Sequence, residues 1–134
     1  MRFLAGRLTR SRPEAPPGTA RVRSLGRAGE SAAARFLEGR GYQVVGRGFR
    51  AARGELDLVC RHGDRLVVVE VKTRSSDRNG SPAEAVGPRK RRSLEAAAAD
   101  YRLLSGWRGP VEFAVVAVTV SGDRYNLELI DDPV

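Results

Sequence analysis

The sequence predicts a single α/β domain with a mixed β-sheet, and three observations support that prediction. The chain has 134 residues, the length of one domain. Two Leu- and Val-rich runs are joined by the dipeptide Gly63-Asp64, which suits a two-residue β-hairpin turn. Segments with helical spacing of apolar residues lie on both sides of this hairpin, and the apolar run VEFAVVAVTV follows the second one. The predicted order is therefore α-β-β-β-α-β-β.

The first helix is predicted over Leu25–Arg40, with Gly41 just beyond its end. Its apolar stripe consists of Ala28, Ala32, Ala33, Phe36 and Leu37. Residues 1–24 contain three prolines and six arginines with little apolar content, which predicts a disordered basic tail before a folded domain at 25–134. Such a tail either adds nonspecific affinity for phosphate backbones or is a dispensable extension.

The remaining elements follow from the same patterns. Tyr42–Phe49 is predicted as the first strand, and Pro88 suits the first turn of a second helix that runs to Leu104. The stripe of that helix is predicted to be Leu94, Ala97, Ala98, Tyr101 and Leu104. Val111–Val120 is apolar almost throughout, so we expect a strand buried on both faces and parallel to the Glu70 strand. The alternating residues after Gly122 predict an edge strand.

The hairpin turn predicts a register for the two strands beside it. If Gly63 and Asp64 form the loop, His62 lies opposite Arg65. Counting back along both strands puts Asp57 opposite Glu70 and Glu55 opposite Lys72. Because side chains alternate along a strand, these four residues share one face, while Val67, Val69 and Val71 lie on the other.

Two facing carboxylates repel each other by about 3 kcal/mol at roughly 5 Å and an effective dielectric constant near 20. A divalent cation between Asp57 and Glu70 would remove that repulsion, and Mg²⁺ prefers carboxylate oxygens. Lys72 would then lie beside the metal, where an ammonium can orient a water or stabilise charge on a phosphate. The chain has 22 arginines and only two lysines, Lys72 and Lys90, so a lysine at position 72 indicates a specific role.

Longer stretches around these residues resemble a known family. GELDLV at 54–59 and VVVEVKTR at 67–74 are similar to the YraN family, small bacterial proteins of the PD-(D/E)xK nuclease superfamily. Further similar motifs are Gly26-x-x-Gly29-Glu30, Gly41-Tyr42, Pro82-x-Glu84-Ala85-Val86 and Lys90-Arg91-Arg92. One departure is Gly48, where the family usually has Asn before an aromatic residue.

The resemblance implies a restriction-endonuclease-like fold and a metal-dependent endonuclease acting on DNA, including branched DNA. It implies that Asp57 and Glu70 bind Mg²⁺ or Mn²⁺ together with the carbonyl of Val71, and that Lys72 acts on the water. In related nucleases a glutamate of the first helix reaches the metal, which points to Glu30. The alternative for Glu30 is a first-turn residue favoured by the helix dipole. Glu55 would tune Lys72 or pair with it.

The charge distribution favours a nucleic-acid partner, and the resemblance implies DNA ahead of RNA. The net charge is +8, and residues 1–53 carry twelve arginines against three glutamates, a net of +9. The candidates for phosphate contacts are Arg47, Arg50, Arg53, Arg74, Lys90 and Arg91. The alternative explanation is a GC-rich genome, which favours arginine codons.

Other classes of protein are disfavoured. The single cysteine, Cys60, excludes an intrachain disulfide and is expected in the core, as suits a cytoplasmic protein. No apolar run approaches the length that spans a membrane. Junction resolvases act as dimers, so the resemblance implies a homodimer. Two other functions stay open: a nucleic-acid-binding protein that retains the nuclease fold with little activity, and a basic RNA-associated protein whose acids are structural.

Overall fold

The structure, a computed structural model, describes residues 19–75 and 87–131 of the chain. It contains two helices and five strands in the predicted order α-β-β-β-α-β-β. The elements are α1 (Thr19–Gly39), β1 (Gln43–Ala51), β2 (Gly54–His62), β3 (Arg65–Ser75), α2 (Pro88–Ser105), β4 (Val111–Ser121) and β5 (Arg124–Asp131). This α/β arrangement is consistent with a restriction-endonuclease-like fold.

The five strands form one mixed sheet in the order β1-β2-β3-β4-β5. All neighbours are antiparallel except β3 and β4, which are parallel and pair Glu70 with Val115. This confirms the prediction that the strand after α2 lies parallel to the Glu70 strand. The central strand of the sheet is therefore β3, which contains both Glu70 and Lys72.

Helix α1 covers one face of the sheet. It begins at Thr19, six residues before the predicted start, so the predicted tail of residues 1–24 falls partly on this helix and partly on residues 1–18, outside the described residues. Gly41 has a φ of 92°, as expected for a glycine beyond a helix end. The core on this face comprises Ala32, Ala33, Ala34, Phe36, Leu37, Leu58, Cys60, Val67, Val69, Ala114, Val116, Val118, Tyr125 and Leu127.

Helix α2 covers the opposite face. The core on that face comprises Leu56, Val59, Leu66, Val68, Leu94, Ala97, Ala98 and Val115, with Tyr101 packed at its edge. The prediction that Leu104 belongs to the buried stripe is wrong, because its side chain is 77% exposed. Ten residues after Leu94, Leu104 lies about 80° away around the helix axis, whereas Tyr101 lies only about 20° away. Tyr101 is therefore the last inward residue of α2.

Two other predictions about the fold, the burial of Cys60 and the alternation in β5, are confirmed. Cys60 is fully buried, and burial raises the pKa of its thiol to about 12. In β5, Tyr125 and Leu127 are buried while Asn126 and Glu128 are exposed, as the alternation predicts for an edge strand. Among the described residues, no helix has the length and apolar character needed to cross a membrane.

Candidate functional site

The β2–β3 hairpin has the predicted turn and register, but the paired ladder is shorter than predicted. His62 pairs with Arg65, and the pairs continue to Leu58 with Val69. The ladder ends there, one step before Asp57 and Glu70. Instead, the backbone N–H of Val71 donates a hydrogen bond to Asp57 Oδ2 at 2.9 Å. A carboxylate thus takes the place of a backbone acceptor at the point where the two strands stop pairing.

The predicted opposition of Glu55 and Lys72 is not part of this ladder. Glu55 pairs with Arg50 of β1 and is exposed, while Lys72 pairs with Ala117 of β4. The physical reason is that the ladder from the turn ends at Leu58, so the count from the turn does not extend to Glu55. A pairing of Glu55 with Lys72 is therefore not supported by the strand register.

Strand β2 changes its facing at Asp57. Leu56 packs in the α2 core and Leu58 in the α1 core, although strict alternation would place both on one face. Across from Asp57, between the pairs Arg47–Leu58 and Phe49–Leu56, lies Gly48 with a φ of 61°. This left-handed residue interrupts the regular geometry of β1. The irregular stretch places Asp57 between the two cores rather than within either one.

The conformation of Gly48 explains why the departure from the family motif is tolerated, because Asn is the residue that adopts left-handed geometry best after Gly. A Cβ at position 48 would meet no atom within 4 Å, so only the backbone conformation opposes a side chain there. We expect Gly48→Ala to lower the free energy of unfolding by about 1 kcal/mol and Gly48→Asn to lower it by less. Urea denaturation of both variants measures this, and equal losses would contradict it.

Among residues 26–75 and 87–131, Glu70 is the only buried charged residue, with 6% of its surface exposed. Val67 and Val69 pack in the α1 core, so alternation directs Glu70 to the α2 side. There its Oε2 lies 3.3 Å from the Nζ of Lys90, in the first turn of α2. Its Oε1 is buried and has no hydrogen-bond partner. An unpaired buried carboxylate oxygen is costly, which marks Glu70 as a ligand candidate.

The neighbouring carboxyl of Asp57 is perturbed by the same surroundings. Burial, followed by the negative charge of Glu70, raises the pKa of Asp57 to about 7, and the hydrogen bond from Val71 opposes the rise. Glu30 raises it further, while Lys90 lowers it. A cation bound here would favour the charged form of Asp57, so these two acids form an electrostatically unfavourable pair that positive charge relieves.

Glu30 approaches this pair from α1. Its side chain is half-buried. Burial raises the pKa of Glu30, and the charges of Glu55 and Glu70 raise it further, while Arg27 and Arg47 lower it. The structure therefore brings Glu30 within electrostatic range of the hairpin acids from the opposite face of the sheet.

Gly29 allows α1 to approach β3 closely. A Cβ at this position would overlap Oγ1 of Thr73, whereas a Cβ at Gly26 in the same helix would meet nothing within 4 Å. We expect Gly29→Ala to lower the free energy of unfolding by about 1–3 kcal/mol through overpacking. Gly26→Ala should raise it by up to about 1 kcal/mol, because alanine favours the helix. Urea unfolding measures both, and similar effects of the two substitutions would show that the close approach is unimportant.

Two carboxylates of the site, those of Asp57 and Glu70, are suited to a divalent cation. Within residues 19–75 and 87–131, no three His, Cys, Asp or Glu side chains form a group that could bind a metal ion. Mg²⁺, however, is commonly bound through one or two carboxylates and several waters. Asp57 and the unpaired oxygen of Glu70 match that ligand chemistry. Direct metal binding by Glu30 and by the Val71 carbonyl stays a prediction.

Both lysines of the chain belong to this site. Lys72 is half-buried and follows Glu70 by two residues, so alternation puts both on one face of β3. Lys90 contacts Glu70 directly. The sequence predicted Lys90 as a phosphate contact and did not reveal its pairing with Glu70. The signal that could have identified it is the one already noted for Lys72, namely the use of lysine in a chain that otherwise uses arginine.

The arginines predicted to contact phosphates differ in their exposure and contacts. Arg47, Arg50 and Arg53 are exposed, and the carbonyl of Arg53 accepts a 2.6 Å hydrogen bond from Ser93, which joins the β1–β2 turn to α2. Arg74 is half-buried. In contrast, Arg91 pairs with Glu95 at 3.5 Å and lies over the ring of Phe113, so its interactions are those of a packing residue.

Similarity to known proteins covers this whole site. A model of the uncharacterised protein family UPF0102 matches residues 29–118, which include all four predicted catalytic residues. A UPF0102 protein of Anaeromyxobacter dehalogenans is 49% identical over 106 residues, 78% of this chain and 79% of that protein. A UPF0102 protein of Syntrophomonas wolfei is 44% identical over 109 residues, 81% of this chain and 95% of that protein. The UPF0102 protein STH1475 of Symbiobacterium thermophilum is 44% identical over 112 residues, 82% of this chain and 95% of that protein.

Proposed function

Since the chain belongs to the family UPF0102, the family that its motifs resemble, we propose from the geometry of its site that it is a divalent-metal-dependent endonuclease. The reaction is hydrolysis of phosphodiester bonds in DNA, with branched DNA as the candidate structure. The observation that carries this proposal is the buried carboxylate of Glu70, with one unpaired oxygen, beside the perturbed carboxyl of Asp57. A structural role for these acids would leave both features unexplained.

In this proposal Asp57 and Glu70 would bind Mg²⁺ or Mn²⁺ together with waters. Glu30 and the Val71 carbonyl, the further ligands that the resemblance implies, are not required for such a site. The bound metal would supply Lewis-acid activation of the phosphodiester and a lowered pKa for a water. The ammonium of Lys72 orients the attacking water and stabilises negative charge that develops on the phosphate. Asp57 acts as a ligand in its charged form, so substrate cleavage requires it to lose its proton.

Positive charge on both sides of the acids supports a polyanionic substrate. The charge of Arg47, on β1, lowers the pKa of Glu30, and Lys90, on α2, contacts Glu70. A phosphodiester brought to these carboxylates would therefore meet cations on either side, which offset the repulsion between phosphate and acids. Cleavage of both strands of a branched DNA would require two copies of the site, so the proposal includes a homodimer on DNA.

The test is cleavage of labelled single-stranded, duplex, flapped and four-way-junction DNA and of RNA, with Mg²⁺, with Mn²⁺ and with EDTA. Asp57→Asn is the informative variant, because an amide oxygen can still accept the hydrogen bond from Val71. Asp64→Asn is the matched control, since Asp64 is exposed in the hairpin turn. We expect metal-dependent cleavage by the wild type and the control and none by Asp57→Asn. Cleavage that survives Asp57→Asn would contradict the proposal.

A second candidate is a nucleic-acid-binding protein that retains the nuclease fold without appreciable activity. The ion pair between Lys90 and Glu70 favours it, because a side-chain cation already neutralises the carboxylate that a metal would need. The same panel separates the two candidates. Metal-independent binding of nucleic acid with no cleavage of any substrate would favour the second.

A further inference from the structure

The two side chains of the ion pair between Lys90 and Glu70 differ in their exposure to solvent. The side chain of Glu70 is 8% exposed and that of Lys90 is 44% exposed, with 3.3 Å between Nζ and Oε2. The ammonium of a partly exposed lysine on α2 thus contacts a carboxylate of the central strand. A lysine suits this contact better than an arginine, because its charge is compact and its stem is flexible.

The location of Lys90 within α2 opposes a structural explanation. The first turn of α2 contains no acidic residue, and the N-cap residue, Gly87, makes no side-chain capping bond. A cation in this turn is unfavourable because the N-terminal end of a helix carries partial positive charge. The charge of Lys90 therefore destabilises this end of the helix. Among the ion pairs of the described residues, the partner of Lys90 is Glu70.

The contact would also compete electrostatically with a metal on the same carboxylate. Glu70 has one oxygen on Lys90 and the other buried without a partner. A divalent cation bound to this carboxylate would lie close to the ammonium of Lys90, and the repulsion between the two cations would displace the more mobile one. The mobile cation is Lys90, since its side chain is 44% exposed.

We propose that Lys90 is a tethered counter-ion that neutralises Glu70 in the metal-free protein and leaves the carboxylate when a divalent cation binds. This inference rests on the proposed metal site and adds a positioning residue to it. Exchange keeps the buried carboxylate neutralised in both states. It would also free the ammonium of Lys90 to donate a hydrogen bond to a phosphate oxygen of the substrate. Metal binding and phosphate binding are thereby coupled.

Titration calorimetry of the full-length metal-free protein with Mn²⁺ tests the exchange without any measurement of activity. Lys90→Ala removes the competing cation. Arg89→Ala removes the same charge from the neighbouring exposed position of the same helix turn, and so reports the general electrostatic effect. We expect Lys90→Ala to bind Mn²⁺ about 1.5- to 5-fold more tightly than Arg89→Ala, the range for one partly exposed ion pair. Lys90→Gln, which retains length and a hydrogen-bond donor without charge, should behave like Lys90→Ala.

Thermal unfolding gives a second readout. Without metal, Lys90→Ala should melt at a lower temperature than Arg89→Ala, and Mn²⁺ should raise its melting temperature by more. Equal Mn²⁺ affinities for the two variants would overturn the exchange while the proposed function stands, provided that the wild type binds Mn²⁺ and Asp57→Asn does not. Failure of every variant to bind Mn²⁺ at millimolar concentration would overturn the exchange and the metal-dependent function together.

Discussion

Replacement of Lys72 by alanine is expected to lower the cleavage rate by about 10²- to 10⁴-fold while Mn²⁺ binding stays intact. The reason is that Lys72 lies on β3 two residues beyond Glu70, on the same face, and acts in the proposed reaction on the water and the phosphate rather than on the metal. Single-turnover kinetics on the cleaved substrate, together with calorimetric Mn²⁺ titration, measures the two effects separately. Asp57→Asn should differ, because it loses metal binding as well.

Two further variants sharpen this prediction. Lys72→Arg preserves the charge but replaces a titratable point charge by a planar group, so recovery of less than about a tenth of the rate would indicate that geometry or proton transfer matters. Arg108→Ala is the control, since Arg108 is exposed in the α2–β4 connection, near the hairpin-turn end of the sheet. An equal loss of rate in Arg108→Ala would show that the effect of Lys72 is general electrostatics.

Asp57→Asn is expected to stabilise the metal-free protein at pH 8 and to have little effect on stability near pH 4. Burial and the charge of Glu70 raise the pKa of Asp57 from 3.8 to about 7. Between these values the folded protein binds more protons than the unfolded chain, so its free energy of unfolding falls as the pH rises. The destabilisation by Asp57 is absent below the pKa of its carboxyl in the unfolded chain and complete above about pH 7. An asparagine at this position has no such charge and does not destabilise the fold in this way.

The full shift corresponds to about 4 kcal/mol, and the partial exposure of Asp57 reduces the expected gain to about 2 kcal/mol at pH 8. Urea unfolding from pH 4 to pH 8 in the presence of EDTA measures it. Asp64→Asn, at an exposed turn position, should show no such pH dependence. A constant difference between wild type and Asp57→Asn across this range would mean that the carboxyl of Asp57 titrates normally. Saturating Mg²⁺ should cancel the advantage of the variant, because a bound cation stabilises the charged form.

Local chemistry accounts for the features that could be predicted from the sequence. The Gly63-Asp64 turn determines the register from His62–Arg65 to Leu58–Val69, because a two-residue loop allows one alignment. The span predicted for α2 agrees within one residue, since Pro88 marks the beginning of the helix. The apolar run of β4 indicates its burial because strands covered on both faces lack polar alternation. These signals depend on residues that are close together in the chain.

The candidate site depends on contacts between distant parts of the chain, which only the tertiary structure decided. The sequence placed Asp57 and Glu70 near each other, but it did not show that the ladder ends at Leu58, where Gly48 of β1 is left-handed and β2 changes its facing. The contact of Lys90 with Glu70 depends on how α2 packs against the sheet. Sequence periodicity specifies which face of an element is buried, whereas the alignment of two packed elements is determined by the shapes of all the side chains between them.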